Sequence, residues 1–255
     1  MPRIIDIPVD PIKEPKLFRG KTAGCVDKAS PPGGGEASCY RVIDCDQRSP
    51  EWFRVRGCRI TASAVGKWVT SKGKVADKAR HKAVCDAIAA ALPPDFPDEW
   101  DNRIMARGRE LEPQAIRAYE DATGNVCEPV GFCVHESEHF GCSPDSLVND
   151  RQGGLEVKCP LRENMVRWLL SDEPWPADEH GPQVQTSLAV TGLPWWDFWA
   201  WHPALPPLLY RVERDETTEA YLAGLIELGE VLSDAHERIA ELWDAEFAAN
   251  THSNR

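Results

Sequence analysis

Cys142-Ser143-Pro144-Asp145 stands a short span ahead of Glu156-Val157-Lys158. An acid, a gap and then acid-x-lysine suit the hydrolysis of a phosphodiester with a divalent metal. Carboxylate oxygens hold Mg²⁺ or Mn²⁺, and a nearby ammonium steers the attacking water and offsets charge. In a strand, Glu156 and Lys158 share one face while Leu155, Val157 and Cys159 share the other. The apolar side then enters the core and leaves acid and amine beside Asp145. A surface strand with a Glu–Lys pair facing water has the same pattern, so the surroundings must decide.

Two further segments bear on that decision. Gly108-Arg109-Glu110-Leu111-Glu112-Pro113 lies upstream. On a continuous helix Glu112 shares a face with Ala115, Ile116 and Tyr119, where a lone carboxylate is costly unless paired or metal-bound. Alternatively, Pro113 starts a helical segment and leaves Glu112 solvated at its boundary. Downstream, Pro182-Gln183-Val184-Gln185-Thr186-Ser187 opens an otherwise apolar helix with two amides. Residues two apart do not share a helix face, so one glutamine alone reaches the site.

The elements that must position these residues follow from period and punctuation. Residues 1–40 hold six prolines and Gly33-Gly34-Gly35, and read as a poorly ordered or extended leader. Residues 41–255 read as a single domain. Ser49-Pro50-Glu51-Trp52 gives an N-cap, a proline at the first helical position and a first turn. Short helices follow from Thr61 and over Asp77 to Leu92, and a long one over Trp100 to Thr123 ends at Gly124. Then the period changes. Val126 to His135, Phe140 to Val148 and Gly154 to Cys159 read as strands. Leu161 to Leu170 and Glu179 to Thr191 are helical, and Trp195 to His202 and Leu208 to Glu213 are strands. Leu222, Leu225, Ile226, Leu232, Ile239, Leu242, Trp243 and Phe247 mark a long amphipathic C-terminal helix. The order implies an α/β fold, a mixed β-sheet flanked by helices.

A chain of 255 residues buries one substantial core. No apolar run approaches the length of a membrane span, and the N-terminus lacks the features of a signal peptide. The expectation is a cytoplasmic protein with no membrane partner. The nine cysteines contain no CxxC pair, which speaks against a zinc ribbon. The net charge of −12 argues superficially against a nucleic-acid partner. Basic residues nevertheless concentrate at Arg48 to Lys82 and Arg103 to Arg109, so a local positive groove is compatible with it.

Two louder signals are set aside. His135-Glu136-Ser137-Glu138-His139 matches the zinc-protease signature, but it sits between strand-like runs and reads as a polar hairpin connection. Trp195-Trp196-Asp197-Phe198-Trp199-Ala200-Trp201 invites base stacking, yet a strand buried on both faces looks the same. Trp168 and Trp175 are the better candidates for contacting unstacked bases.

Together the pieces resemble the lambda exonuclease and YqaJ-type viral recombinase family, within the PD-(D/E)xK nuclease superfamily. The resemblance runs from about Trp52 to Glu213. It rests on Trp52-x3-Arg56 with Ile60-Thr61-Ala62-Ser63, Gly108-x3-Glu112, Cys142-Ser143-Pro144-Asp145, Leu155-Glu156-Val157-Lys158-Cys159-Pro160 and Gln183-Val184-Gln185, in that order.

The resemblance implies a restriction-endonuclease-like core. It implies a metal site of Asp145, Glu156 and the Val157 backbone carbonyl, with Glu112 in support, Lys158 assisting the water and Gln183 near the metal. It implies that Arg56, Ser63 and Ser143 cradle the 5′-phosphate of a DNA end, and a guanidinium fork with hydroxyls suits that anion. The implied activity is a metal-dependent DNA exonuclease, 5′-to-3′ on linear double-stranded DNA, in phage-type recombination or end processing. Mg²⁺ is the implied cofactor, with Mn²⁺ as substitute. Double-stranded DNA ends, a single-strand annealing protein and a homotrimer are the implied partners. An endonuclease of the same fold and a catalytically silent DNA-binding protein are the alternatives.

Overall fold

The computed structural model of the protein describes residues 27–28, 39–70, 72–75, 77–90, 103–172 and 175–252, with side chains described no further than residue 242. Most of the expected leader lies outside these residues.

The chain order is β1 (Asp27–Lys28), β2 (Tyr40–Ile43), α1 (Pro50–Arg56), β3 (Ile60–Thr61), α2 (Ala62–Val65), α3 (Asp77–Ala89) and α4 (Arg103–Thr123). Four short strands follow, β4 (Cys127–Glu128), β5 (Phe132–His135), β6 (Phe140–Cys142) and β7 (Ser146–Val148), then β8 (Gly153–Lys158). The rest is α5 (Arg162–Leu169), α6 (Ala177–Thr191), β9 (Trp195–His202), β10 (Leu205–Glu213) and α7 (Glu216–His252).

The architecture is mixed α/β as expected, with the strands divided between two five-stranded sheets of order β1-β2-β5-β6-β3 and β10-β9-β8-β7-β4. Both are mixed: β3 runs parallel to β6, and β8 parallel to β9, among otherwise antiparallel pairs. The expected strand over Val126 to His135 is in fact β4 and β5, in different sheets. The one over Phe140 to Val148 is likewise β6 and β7. A proline stands at each break, Pro129 in the first and Pro144 in the second. Proline has no N–H to donate and so ends a ladder where the chain leaves one sheet for the other.

Local chemistry explains the helix ends. The Ser49 hydroxyl accepts from the Trp52 N–H at 3.1 Å and caps α1, whose first residue is Pro50. Gly124 and Gly192 follow α4 and α6 with φ of 73° and 67°, the left-handed conformation that glycine adopts freely. Pro113 does not end α4, which runs through it, so Glu112 lies within a helix rather than at a boundary.

α6 is the central helix. From Val184 to Thr191 nearly every position is buried, because it packs against α7 and α2 and against strands of both sheets. A helix apolar all round belongs inside a core. The main core includes Ile60, Phe140, Leu188, Trp196, Phe198 and Leu225. A second cluster joins Ala115 and Tyr119 of α4 to Leu155 and Val157 of β8 and Trp199 of β9. The Trp199 indole donates to the Ala115 carbonyl at 2.9 Å, and the Tyr119 hydroxyl to buried Asp197 at 2.7 Å. These contacts pin α4, and Glu112 with it, across β8. No helix among the described residues is long and apolar enough to cross a membrane.

Candidate active site

β8 lies between β7 and β9, and its period-two pattern holds. Leu155 and Val157 are buried against α4, while Glu156 and Lys158 face the other way. Asp145 stands just before β7. Its backbone N–H donates to the Leu155 carbonyl at 3.1 Å, and its carboxylate accepts the Val157 N–H at 2.6 Å. In a strand the N–H and C=O of one residue point to the same side. The Val157 carbonyl therefore points toward Asp145 as well, at the place where Pro144 turns the neighbouring chain away.

Lys158 makes an ion pair with Glu156, whose side chain is almost wholly buried. Burial, then the Glu156 charge, push the Asp145 carboxyl well above the ordinary carboxylate range, against the pull of Lys158. Burial also raises Glu112, opposed by Arg48 and Lys158; the Arg48 guanidinium is 3.9 Å from the Glu112 carboxylate. For Lys158, burial favours the neutral amine, but Glu156 and Asp145 outweigh it and hold the ammonium above the ordinary lysine range.

Among the described residues no three His, Cys, Asp or Glu side chains are grouped to hold a metal ion. The donors at hand are two carboxylates and a carbonyl, all oxygens. Three carboxylates, Asp145, Glu156 and Glu112, act on one another here, with Lys158 and Arg48 as the opposing cations. That excess of negative oxygen donors fits a hard divalent cation.

The two glutamines separate as helical spacing requires. Gln185 is engaged on the far side, its side-chain oxygen accepting from the Thr218 hydroxyl of α7 at 2.5 Å. The Gln183 amide has no hydrogen-bond partner among the described residues. One turn on, Ser187 donates to the Gln183 carbonyl at 3.0 Å and meets the Cys142 thiol. Gln183 thus shares the face of α6 that packs on β6.

Arg56, Ser63 and Ser143 come together. One Arg56 nitrogen donates to Ser143 Oγ at 3.0 Å and the other to Ser63 Oγ at 3.2 Å. Trp52, one turn before Arg56 on α1, donates its indole N–H to the same Ser143 oxygen at 3.0 Å, and its ring lies 4.1 Å beneath the guanidinium. With two donors on its oxygen, Ser143 has its own proton left to give. Burial lowers the Arg56 pKa to about 10, and no carboxylate neutralises it among the described residues. The result is a donor-rich pocket with positive charge. Spacing alone assigned Trp52 no role, although an aromatic one turn before an arginine was a usable signal.

On the carboxylate side of the site a cleft of ≈ 400 Å³ is lined by Arg48, Arg109, Glu112, Lys158, Trp168 and His180 among others. His180 stacks on Phe198 and meets Trp168 edge-on. Trp168 is itself mostly buried, and Trp175 stacks on Tyr210. The strand from Trp195 is core, with Trp196 and Trp199 buried. His135 ends β5 and His139 follows a turn in which Glu138 has φ of 65°. The protease-like motif is therefore a hairpin, with Glu138 held by Arg41 and Arg59.

The YqaJ-like viral recombinase domain matches residues 51–194, more than half of the chain, and the chain belongs to that family. Among solved structures it is similar to the alkaline exonuclease LHK-Exo from Laribacter hongkongensis. The two are 31% identical, the match covers 76% of this chain and 100% of that one, and the TM-score is 0.57. A second structure of that enzyme, in complex with dAMP, matches equally. A phage-related exonuclease from Haemophilus somnus 129PT, 16% identical over 74% of this chain and 99% of its own, has a TM-score of 0.55 and shares the fold. No curated protein matches the sequence.

Proposed function

We propose that this protein is a divalent-metal-dependent DNA exonuclease that degrades linear duplex DNA from 5′-phosphorylated ends. Membership of the family and the likeness to an alkaline exonuclease support the exonuclease reading. The observation that carries the finer one is a juxtaposition. Ser143, in the donor-rich pocket, and Asp145, in the carboxylate cluster, are separated by Pro144 alone.

Asp145, Glu156 and the Val157 carbonyl hold the metal in this reading, with Glu112 in support. Mg²⁺ held there, or Mn²⁺ in its place, would supply Lewis-acid polarisation of the scissile phosphate and of the attacking water. Lys158 orients the attacking water and offsets charge developing on the phosphate. Gln183 offers a neutral amide beside the same oxygens. Arg56, Ser63 and Ser143 take the terminal 5′-phosphate, which each cut regenerates, so the enzyme advances along one strand. By resemblance, it works in phage-type recombination in the cytoplasm, with an annealing protein for the strand it exposes, and as a homotrimer.

The direct test follows a linear duplex labelled at either the 5′ or the 3′ end of one strand, with Mg²⁺ and with EDTA. Immediate release of the 5′ label as mononucleotide, late release of the 3′ label and no release in EDTA are expected. Early release of the 3′ label would reverse the assigned polarity.

A further inference from the structure

Gln47 lies in the turn between β2 and α1, outside the proposed clamp and metal site. Its side-chain nitrogen donates to the Val130 carbonyl at 2.9 Å and to the Pro144 carbonyl at 2.8 Å. A primary amide carries two N–H donors, and both are used. The acceptors belong to the two places where the chain passes between the sheets: Val130 follows Pro129 between β4 and β5, and Pro144 lies between β6 and β7. One side chain therefore ties both crossings together.

The second crossing is three residues long, and its ends do different work. The Ser143 hydroxyl joins Arg56 and Trp52. The Asp145 carboxylate turns to β8 and takes the Val157 N–H. Between them Pro144 has no N–H, so its carbonyl is its one polar handle. Gln47 holds that handle. The fit is close on the other side too, since a Cβ on Gly131 would sit 2.3 Å from the Cys45 carbonyl. The backbone before Gln47 is thus set directly against the first crossing.

We infer that Gln47 is a positioning residue that sets the spacing between the end-phosphate pocket and the metal-site acids. The inference rests on the reading of those two sites given above. A terminal phosphate seated in the pocket presents the next phosphodiester to the acids only if the Ser143-Pro144-Asp145 segment keeps one shape. Removing the donor frees the Pro144 carbonyl and lets that spacing vary, and displacements of about 1 Å in such geometry cost up to roughly 100-fold in rate.

The test compares initial rates on duplexes bearing a 5′-phosphate or a 5′-hydroxyl, for the intact chain, for Gln47→Met, which keeps the length without the donors, and for Gln47→His, which keeps one. Thermal melting of each is recorded alongside, and the released product is sized. The expected result is a preference for the phosphorylated end that falls about 10-fold or more in Gln47→Met and less in Gln47→His. The rate on hydroxyl ends falls far less, and dinucleotides appear among the products. An equal loss on both substrates, or no loss, overturns the inference, because a residue that only stabilises the fold leaves the preference untouched. If Gln47→Met does not fold, Gln47→His decides in the same way. An unaltered chain indifferent to the terminal phosphate refutes the end-binding reading itself, and this inference with it.

Discussion

The Val157 N–H donates to the Asp145 carboxylate across 2.6 Å, from the strand that carries Glu156 and Lys158. One oxygen of Asp145 is thereby fixed by backbone, which leaves its other oxygen to face the site. Lys158 is ion-paired with Glu156, two residues away on the same face of that strand. Backbone and ammonium thus hold the two acids in place.

Asp145→Asn keeps the shape but removes the charge. It is expected to lower kcat at least 100-fold, as losing a metal-polarising group does. It should also abolish the rise in melting temperature that Mg²⁺ gives the unaltered protein. Calorimetry with and without Mg²⁺ checks the second point independently of activity.

Arg56→Lys retains the charge but loses the planar fork that reaches Ser63 and Ser143 together. We expect KM for 5′-phosphorylated ends to rise roughly 10-fold or more, with little change on 5′-hydroxyl ends. Steady-state kinetics on the two substrates reads it. Equal effects on both would remove Arg56 from phosphate recognition.

Lys158→Met leaves Glu156 buried beside Asp145 without its cation. Breaking a buried ion pair on one side costs about 3 kcal/mol, so the metal-free variant should melt well below the parent and recover in part with Mg²⁺. Its kcat with Mg²⁺ should fall on the order of 100-fold or more. Full activity would contradict the role given to the ammonium.

His180 supplies a pH dependence. Burial and then Lys158 lower its pKa from 6.5 to about 4. Between those values the unfolded chain binds a proton that the folded chain refuses. Its contribution to stability is therefore complete above pH 6.5 and is lost as pH falls toward 4. His180→Gln should flatten the fall in melting temperature over that interval. An unchanged slope would place the acid sensitivity elsewhere.

Much of this site was legible because its signals are local. The period of two in Leu155 to Lys158 placed acid and amine on one face. Helical spacing separated Gln183 from Gln185. Arg56, Ser63 and Ser143 were named through family resemblance, since nothing in periodicity joins residues 87 apart. The two sheets were not legible. Val126 to His135 and Phe140 to Val148 each read as one strand by composition, and the change of sheet is signalled only by Pro129 and Pro144. β2 escaped notice because four residues after a proline-rich stretch carry too little pattern. Gln47 acts on backbone carbonyls, which no side-chain motif can announce.

In the proposed function the carboxylate cluster and the donor-rich pocket together make an enzyme that needs both a metal and an end. Incubation of linear and covalently closed circular duplex DNA, each with Mg²⁺ and with EDTA, tests it most directly. Loss of the linear DNA alone, in Mg²⁺ alone, and no loss with Asp145→Asn are expected. Cleavage of the closed circle would show an endonuclease, and survival of the linear DNA in Mg²⁺ would show a protein that does not cut.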